Sequence, residues 1–571
     1  MAHVDPITFE VVRNALLNAA AEMKVVVMRS SYSTIWRESG DLSCALLSRE
    51  AEMIAQGPGD LPAHLATMPF SLRGALDKIP IDTLEPGDVL FHNDPQWGNN
   101  HLPDCVMAKP IFVDGEIIGF SGVRGHWTDI GGMGAGSYTA VTTDPIQEGL
   151  RIPPVKLYRR GEMDQSYVDF ILANVRVPRD RLGDIRAQYA GCVTGERKLL
   201  ALAEKYGRQT VVDCMHEILD HGEQLTRAEL EQIPDGTYHY TDYSDGDGVT
   251  DGSIKIQVAV TVAGSNIHVD LTGSHPQTIG GMNCPLAVTY SSVQYAVKAA
   301  ADPWNPANSG CYRTVHVTAP HGTVVNPILP ASVVAGNHET AMIIVSAMFG
   351  ALSQAAPERV ISAGSDSSVV TVIGGIDPRP ERQGRKYVYI EIQGSAWGAT
   401  HRGDGVNVMR AGVGNTGNQP IEVVETEYPV TVLEYSMVPD RSGAGKHRGG
   451  VPMRRVTRLD GDAQVTLIAE RGRIAPFGLE DGKPGGLGEY CFNPGTECEE
   501  KLFSKTAPID RQRGEVLSVC AAGGGGFGPP SERDPEQIRR DVEAGFLSPE
   551  MAEREYGVRV DNRVKGSGDP S

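Results

Sequence analysis

No two of the nine cysteines form a C-x-x-C pair; they are scattered from Cys44 to Cys520, so neither a disulfide framework nor a zinc ribbon is expected. Reduced thiols in a cytoplasmic protein are the simpler reading. Long apolar runs are also lacking: the longest, Ala341 to Ala351, is about half of the roughly 20 residues that a membrane helix needs. There is no basic stripe, and the formal net charge of -20 argues against a nucleic acid or an anionic membrane as the main partner. The opening M-A-H-V-D-P-I-T has no basic segment followed by an apolar one, so a secretory leader is not expected there. The catalytic signatures that can be read locally are missing too. No G-x-S-x-G elbow occurs, and G-A-G-K-H at 443–447 lacks the Walker spacing, so no ATP site of that type is expected. Gly412, Gly414 and Gly417 match a dinucleotide pattern in form, but Pro420 interrupts the helix that should follow and no βαβ unit surrounds them.

What is present is a globular composition, 40% hydrophobic and 22% charged, with 66 glycines and 37 prolines that imply many turns. A chain of 571 residues exceeds one ordinary core, so several domains are expected. The chemistry-bearing side chains concentrate between His92 and Gly132, which holds three of the fifteen histidines and four aspartates. Pro103, between His101 and Asp104, favours a turn over a helix face. Two short strands follow, V-M-A-K-P-I-F-V and E-I-I-G-F-S-G-V, joined by Asp114-Gly115. Such a hairpin would bring His126 and Asp129 back beside His101 and Asp104. Two imidazoles with one or two carboxylates suit a divalent metal, with a position left open for water or substrate; a hydrogen-bonded turn network is the alternative. His92 and Asp94 read as turn residues, His64 as a core histidine and Cys105 as a small buried residue. Asp41, at the entry to L-S-C-A-L-L, reads locally as a turn residue.

Along the chain, apolar periodicity predicts a helix over 7–30, another from His64 to Leu76, and helical structure from Met163 to about Gln232. G-G-M-G-A-G-S, from Gly131, reads as a lid or a long turn. Alternating runs from Gly236 to Thr272 predict antiparallel sheet, with helices around Thr289 to Ala301 and Glu339 to Gln354. Strands prevail from about Val369. The glycines 523 to 526 are either a phosphate cradle or a tight domain end. Asp534-Pro535 and Ser548-Pro549 should start two short helices before a mobile tail. The expected fold class is therefore mixed α+β and multidomain: an N-terminal lobe, 1–233, with the metal-site loops; a β/α region, 234–375; a β-rich region, 376–531; and 532–571.

At these residues the chain resembles the B subunit of N-methylhydantoinase and 5-oxoprolinase type enzymes, a family that also takes in lactamase subunits and acetone and acetophenone carboxylase subunits. The resemblance covers nearly all of 3–530. It rests on G-D-L-S-C-A-L at 40–46, N-D-P-Q-W-G-N-N-H-L-P-D at 93–104, R-G-H-W-T-D-I-G-G at 124–132 and I-Q-E-G-L-R-I-P-P-V-K-L-Y at 146–158, with G-D-I-R-A-Q at 183–188 and G-G-G-G-F-G-P-P at 523–530. It implies a divalent ion, zinc ahead of manganese or iron, on His101, Asp104 and His126, with Asp41 as a further ligand. It also implies that ATP and magnesium sit on a separate A-type subunit, in an α2β2 assembly that phosphorylates and then opens a cyclic amide. A ketone carboxylase and a non-catalytic scaffold for the ATP-hydrolysing partner are the alternatives. Two departures, N-D-P-Q-W-G-N-N-H for N-D-P-Y-x-G-G-T-H and Trp127 after His126, are expected to affect the substrate.

Overall fold

Seven strands build one antiparallel sheet in the N-terminal lobe: β1 (Leu42–Ser48), β2 (Met53–Gln56), β3 (Val89–His92), β4 (Asp104–Val113), β5 (Glu116–His126), β6 (Val155–Arg159) and β7 (Glu162–Met163), in the order β2-β1-β5-β4-β3-β6-β7. The computed structural model describes residues 4–57, 59–382, 384–410 and 412–560. The β4–β5 hairpin turns at Asp114 and Gly115 with φ of 52° and 81°, the left-handed pair that a tight hairpin requires. Its register sets Asp104 opposite His126.

Helices cover both faces of this sheet, which is why its central strands are buried throughout instead of alternating. Asp5 caps the helix Pro6–Ser30 by accepting from the Thr8 N–H, and one face, Val12, Leu16, Ala19, Met23 and Val27, is buried. The helical stretch expected from Met163 resolves into three helices, Gln165–Ala173, Pro178–Tyr206 and Arg208–Leu230. The last break falls at Gly207, whose φ of +85° no helix residue can hold. Pro178–Tyr206 packs on β4 and β5 beside Pro6–Ser30. Thr67–Lys78 takes the opposite face, where Arg124 of β5 donates to the Thr67 carbonyl. The helix expected at His64 starts three residues later, after a short turn over Pro62–His64.

The middle region carries a four-stranded sheet of Gly236–Ser244, Ile254–Ala263, Asn266–Asp270 and Val315–Thr318. The wholly buried helix Ala341–Leu352 packs on it and against Leu286–Ala301. Two further sheets make the β-rich part. One contains Val370–Ile376, Lys386–Ile392, Ala463–Ile468 and Ile509–Arg511; the other is built on Val430–Met437, Met453–Leu459, Val516–Cys520 and Glu489–Phe492. In the first of these, Val370, Val372, Val388 and Ile390 face the core shared with the N-terminal lobe, while Ile373, Tyr387 and Tyr389 face the core between the two sheets. One core thus runs unbroken across residues 233/234 and 375/376. The chain is mixed α+β. The two final helices, Pro535–Glu543 and Pro549–Tyr556, are capped by Asp534 and Ser548 as predicted. The tail predicted to be mobile falls largely at 561–571, outside the described residues. Among the described residues no helix is long and apolar enough to cross a membrane.

Candidate active site

The turn between β3 and β4 is tied by side-chain amides. Asn99 donates to the carbonyls of Asn93 and Asp104, both at 2.6 Å, and Asn93 donates to the Leu102 carbonyl at 2.7 Å. A turn satisfied from within is fixed, and this one aims His101 and Asp104 inward. Asn100 donates to Asp104 Oδ2 and is itself held by Arg124 Nη1 at 3.1 Å. The hairpin returns His126 to this place, 5.0 Å from His101 between ring centroids. Asp41, at the entry to β1, accepts the His126 N–H at its own carbonyl, and its side chain lines the same cavity.

More distant segments close the site. His64 sets its Nε2 3.5 Å from Asp104 Oδ2, the same distance as His101 Nε2, and its Nδ1 meets Ser43 Oγ at 2.7 Å. Buried as predicted, His64 nevertheless faces the site carboxylate. Tyr138 packs on His101 and His126 and stacks on His338 at 5.3 Å. Arg410, Asn337 and Val413 complete the wall of a cavity of about 30 Å³, room for an ion or about one water molecule. His101 Nδ1 donates to the Val334 carbonyl at 2.9 Å, which turns Nε2 toward Asp104 Oδ2. That Nε2, His126 Nδ1 and His338 Nε2 are buried without a hydrogen-bond partner.

Burial dominates the electrostatics. It pushes the Asp41 carboxyl up to about 7, and the Asp104 charge adds to this. Burial opposes ionisation of Asp104 too, but the His101 and His64 rings outweigh it and hold that carboxyl well below its usual range. Burial, with His101 beside it, drops His126 to about 3, so the ring is neutral and one of its two nitrogens offers a lone pair. Among the described residues, no group of three or more His, Cys, Asp or Glu side chains stands in a geometry that could hold a metal ion. A larger cavity of about 630 Å³, lined by Tyr295, Trp304 and Pro306 among others, gathers no group of such donors, and the Asp60 that lines it is paired with Lys24 at 2.9 Å.

Other sequence candidates lie elsewhere. Asp129 receives the N–H groups of Gly131, Gly136 and Arg176 and the Arg176 guanidinium, so both its oxygens are occupied in holding the glycine loop. That loop is a strut, since Ala135 N–H bonds to Gln464. His92 points at the Ser71 carbonyl, Asp94 caps a short turn and pairs with Arg151, and the buried Cys105 thiol is pushed well up by burial. Trp127 lies against Phe91, Arg181 and Gln188, outside the cavity. Gly523 to Gly526 donate all four N–H groups to backbone carbonyls, and a Cβ on Gly524 would stand 1.9 Å from the Trp397 carbonyl, so close crossing and not phosphate explains them. Reading the sequence did not single out Tyr138, His338, Glu339 or Arg410. The adjacent His338-Glu339 pair was the one local signal available.

Comparison with known proteins agrees with this architecture. The family model described as Hydantoinase B/oxoprolinase matches residues 5–530. An uncharacterised protein of Methanocaldococcus jannaschii is 35% identical over 98% of this chain and 96% of its own length. Caprolactamase subunit beta of Pseudomonas jessenii is 33% identical, over 98% and 97%, and the crystal structure of that ATP-dependent caprolactamase superposes with a TM-score of 0.89. An acetone carboxylase structure, 19% identical, superposes at 0.90 over 99% of this chain and 81% of its own, a likeness of fold. The chain belongs to the hydantoinase B/oxoprolinase family.

Proposed function

We propose that this chain is the metal-bearing subunit of an ATP-dependent cyclic amide hydrolase, acting on a lactam, hydantoin or 5-oxoproline-like ring that an A-type partner has activated by phosphorylation. The observation that carries this reading is the set of unpartnered buried nitrogens, His101 Nε2 and His126 Nδ1, around the Asp104 carboxylate. Each unpaired buried polar atom costs about 1–3 kcal/mol, so a cluster of them is retained for something that binds there. The donors suit a divalent ion in kind: His101, His126 and Asp104, with Asp41 beside them, would hold zinc, with manganese or iron as alternatives. When bound, such an ion brings the pKa of a coordinated water to about 7 in favourable cases and so supplies a nucleophile at neutral pH.

The rest is done by this chain's own side chains. The Val334 carbonyl fixes the His101 tautomer, and Asn100 holds Asp104 in place. The wall of Tyr138, Asn337 and Val413 shuts the donor side chains off from bulk water. Activation is needed because an amide is a poor electrophile. ATP and magnesium are assigned to the partner, since the glycine run here has no free N–H groups for phosphate. A partner subunit is supported by the caprolactamase relative, whose name makes it one subunit of several; an A-type partner in an α2β2 assembly is part of this proposal. Nine free cysteines suit a reducing cytoplasm.

The test is turnover by the complex of this chain with its ATP-hydrolysing partner. With ATP, a panel of lactams and hydantoins should be opened with coupled release of phosphate. Label from bicarbonate appearing in a ketone instead would establish the carboxylase. Full turnover by a correctly assembled His101→Ala complex would leave this chain a scaffold.

A further inference from the structure

We propose that His338, oriented by Glu339, is the proton-transfer residue of this site, a role that rests on the hydrolase reading above. His338 sits in a π-helical turn, Gly336–Thr340, just before the buried helix Ala341–Leu352. Turns of this kind spoil the regular hydrogen-bond ladder and are common where a side chain must be aimed. Here the turn is wedged in place, because a Cβ on Gly336 would stand 1.9 Å from the Asn283 carbonyl.

The two side chains form an oriented pair. His338 Nδ1 lies 2.7 Å from Glu339 Oε1, and the same oxygen accepts the Ser368 N–H at 2.9 Å. A carboxylate accepts, so Nδ1 carries the hydrogen and Nε2 carries the lone pair. His338 is 5% exposed, lies flat against Tyr138 with rings 15° from parallel, and lines the cavity that His126 and Asp104 also line. Its Nε2 has no partner. An acceptor nitrogen held by a carboxylate, facing the place where a water would be, is the arrangement of a general base.

The step balances without another reactant. A water oxygen bonds to the activated ring carbon while His338 Nε2 takes one proton from it. As the bond from that carbon to the ring nitrogen breaks, His338 returns this proton to the departing nitrogen, and the second water proton, released as the new carbon–oxygen bond becomes a carbonyl, passes to the same nitrogen, which leaves as the amine. The product is the ring-opened acyl phosphate, which a second water converts to carboxylate and phosphate. Glu339 is the positioning residue that steadies the imidazolium between the two transfers.

A carboxylate-bound histidine is also the habit of a metal ligand, so the experiment must separate the two roles. The complex with the partner is prepared with wild-type chain, His338→Gln, His338→Ala and Glu339→Gln, and metal per chain, ring opening and thermal melting are measured on each. The inference expects unchanged metal content, kcat lower by about 10²–10³-fold in the His338 variants with KM little moved, partial rescue of His338→Ala by added imidazole, and about a 10-fold loss in Glu339→Gln. His338→Gln keeps the bulk of the ring and carries the test if the alanine variant does not assemble. Loss of metal from either His338 variant would make the residue a ligand and overturn the proposal, as would ring opening within about threefold of wild type. If the wild-type complex opens no cyclic amide, the hydrolase reading fails and takes this one with it; an active wild type with equally active variants sinks this inference alone.

Discussion

Two buried clusters of charge, similar in residue type, differ in how their atoms are used. At the joint between the middle and C-terminal regions, Glu470 accepts from Lys505 at 2.5 Å, from Ser244 at 2.5 Å and from the Asp245 N–H at 2.9 Å. Asp245 in turn takes the N–H groups of Gly472, Arg473 and Ile474. Every carboxylate oxygen there has a donor, so the joint is complete in itself. In the cavity where the N-terminal lobe meets the later regions, Asn100 donates to Asp104, but His101 Nε2, His126 Nδ1 and His338 Nε2 have no hydrogen-bond partner. The first arrangement stabilises the fold; the second leaves buried ring nitrogens unsatisfied.

That contrast can be broken or sharpened by substitution. The largest expected effect is on chemistry: His101→Gln in the assembled complex should lower ring opening by about 10³-fold or more, while unfolding free energy of the chain moves by only about 1 kcal/mol, as denaturant titration would read. The joint should behave the opposite way. Lys505→Met leaves Glu470 buried without its cation and should destabilise by about 3–5 kcal/mol, and a loss under about 1 kcal/mol would erase the distinction. Asp129→Asn weakens the hold on the glycine loop and on Arg176, which should cost about 2 kcal/mol of stability with metal content unchanged. Asp94→Ala removes a turn cap and the pairing of a buried carboxylate with Arg151; about 1–2 kcal/mol in denaturant titration and unaltered turnover are expected.

Legibility in the sequence followed distance along the chain. The hairpin is local, so Asp114-Gly115 and the alternating strands sufficed to bring His126 opposite Asp104. Asp41 looked like any loop aspartate until the resemblance to the family was drawn, because its neighbour in space, His126, is far along the chain. His64 read as core from its apolar surroundings, and it is buried, but only the fold reveals that its ring meets Asp104. His338 and Arg410 come from regions with no spacing relation to the hairpin, so no periodicity could place them in one wall. Asp104 and Asp129 were equivalent as letters. They part because Arg176, on a separate segment, reaches one of them and two histidines reach the other. The helix boundaries show the same rule in miniature: caps at Asp5, Asp534 and Ser548 were readable, and the break at Gly207 inside a continuous helical pattern was not.

The central claim is that the cavity around His101, Asp104 and His126 holds a catalytic divalent ion. Elemental analysis of the purified complex, carried out in parallel on wild type, His101→Gln and His126→Gln, tests it most directly. The account predicts about one zinc, manganese or iron ion per copy of this chain in the wild type and nearly none in either variant, with ring opening lost in step. A wild-type complex that opens cyclic amides with no stoichiometric metal, or variants that keep the full complement, would contradict it.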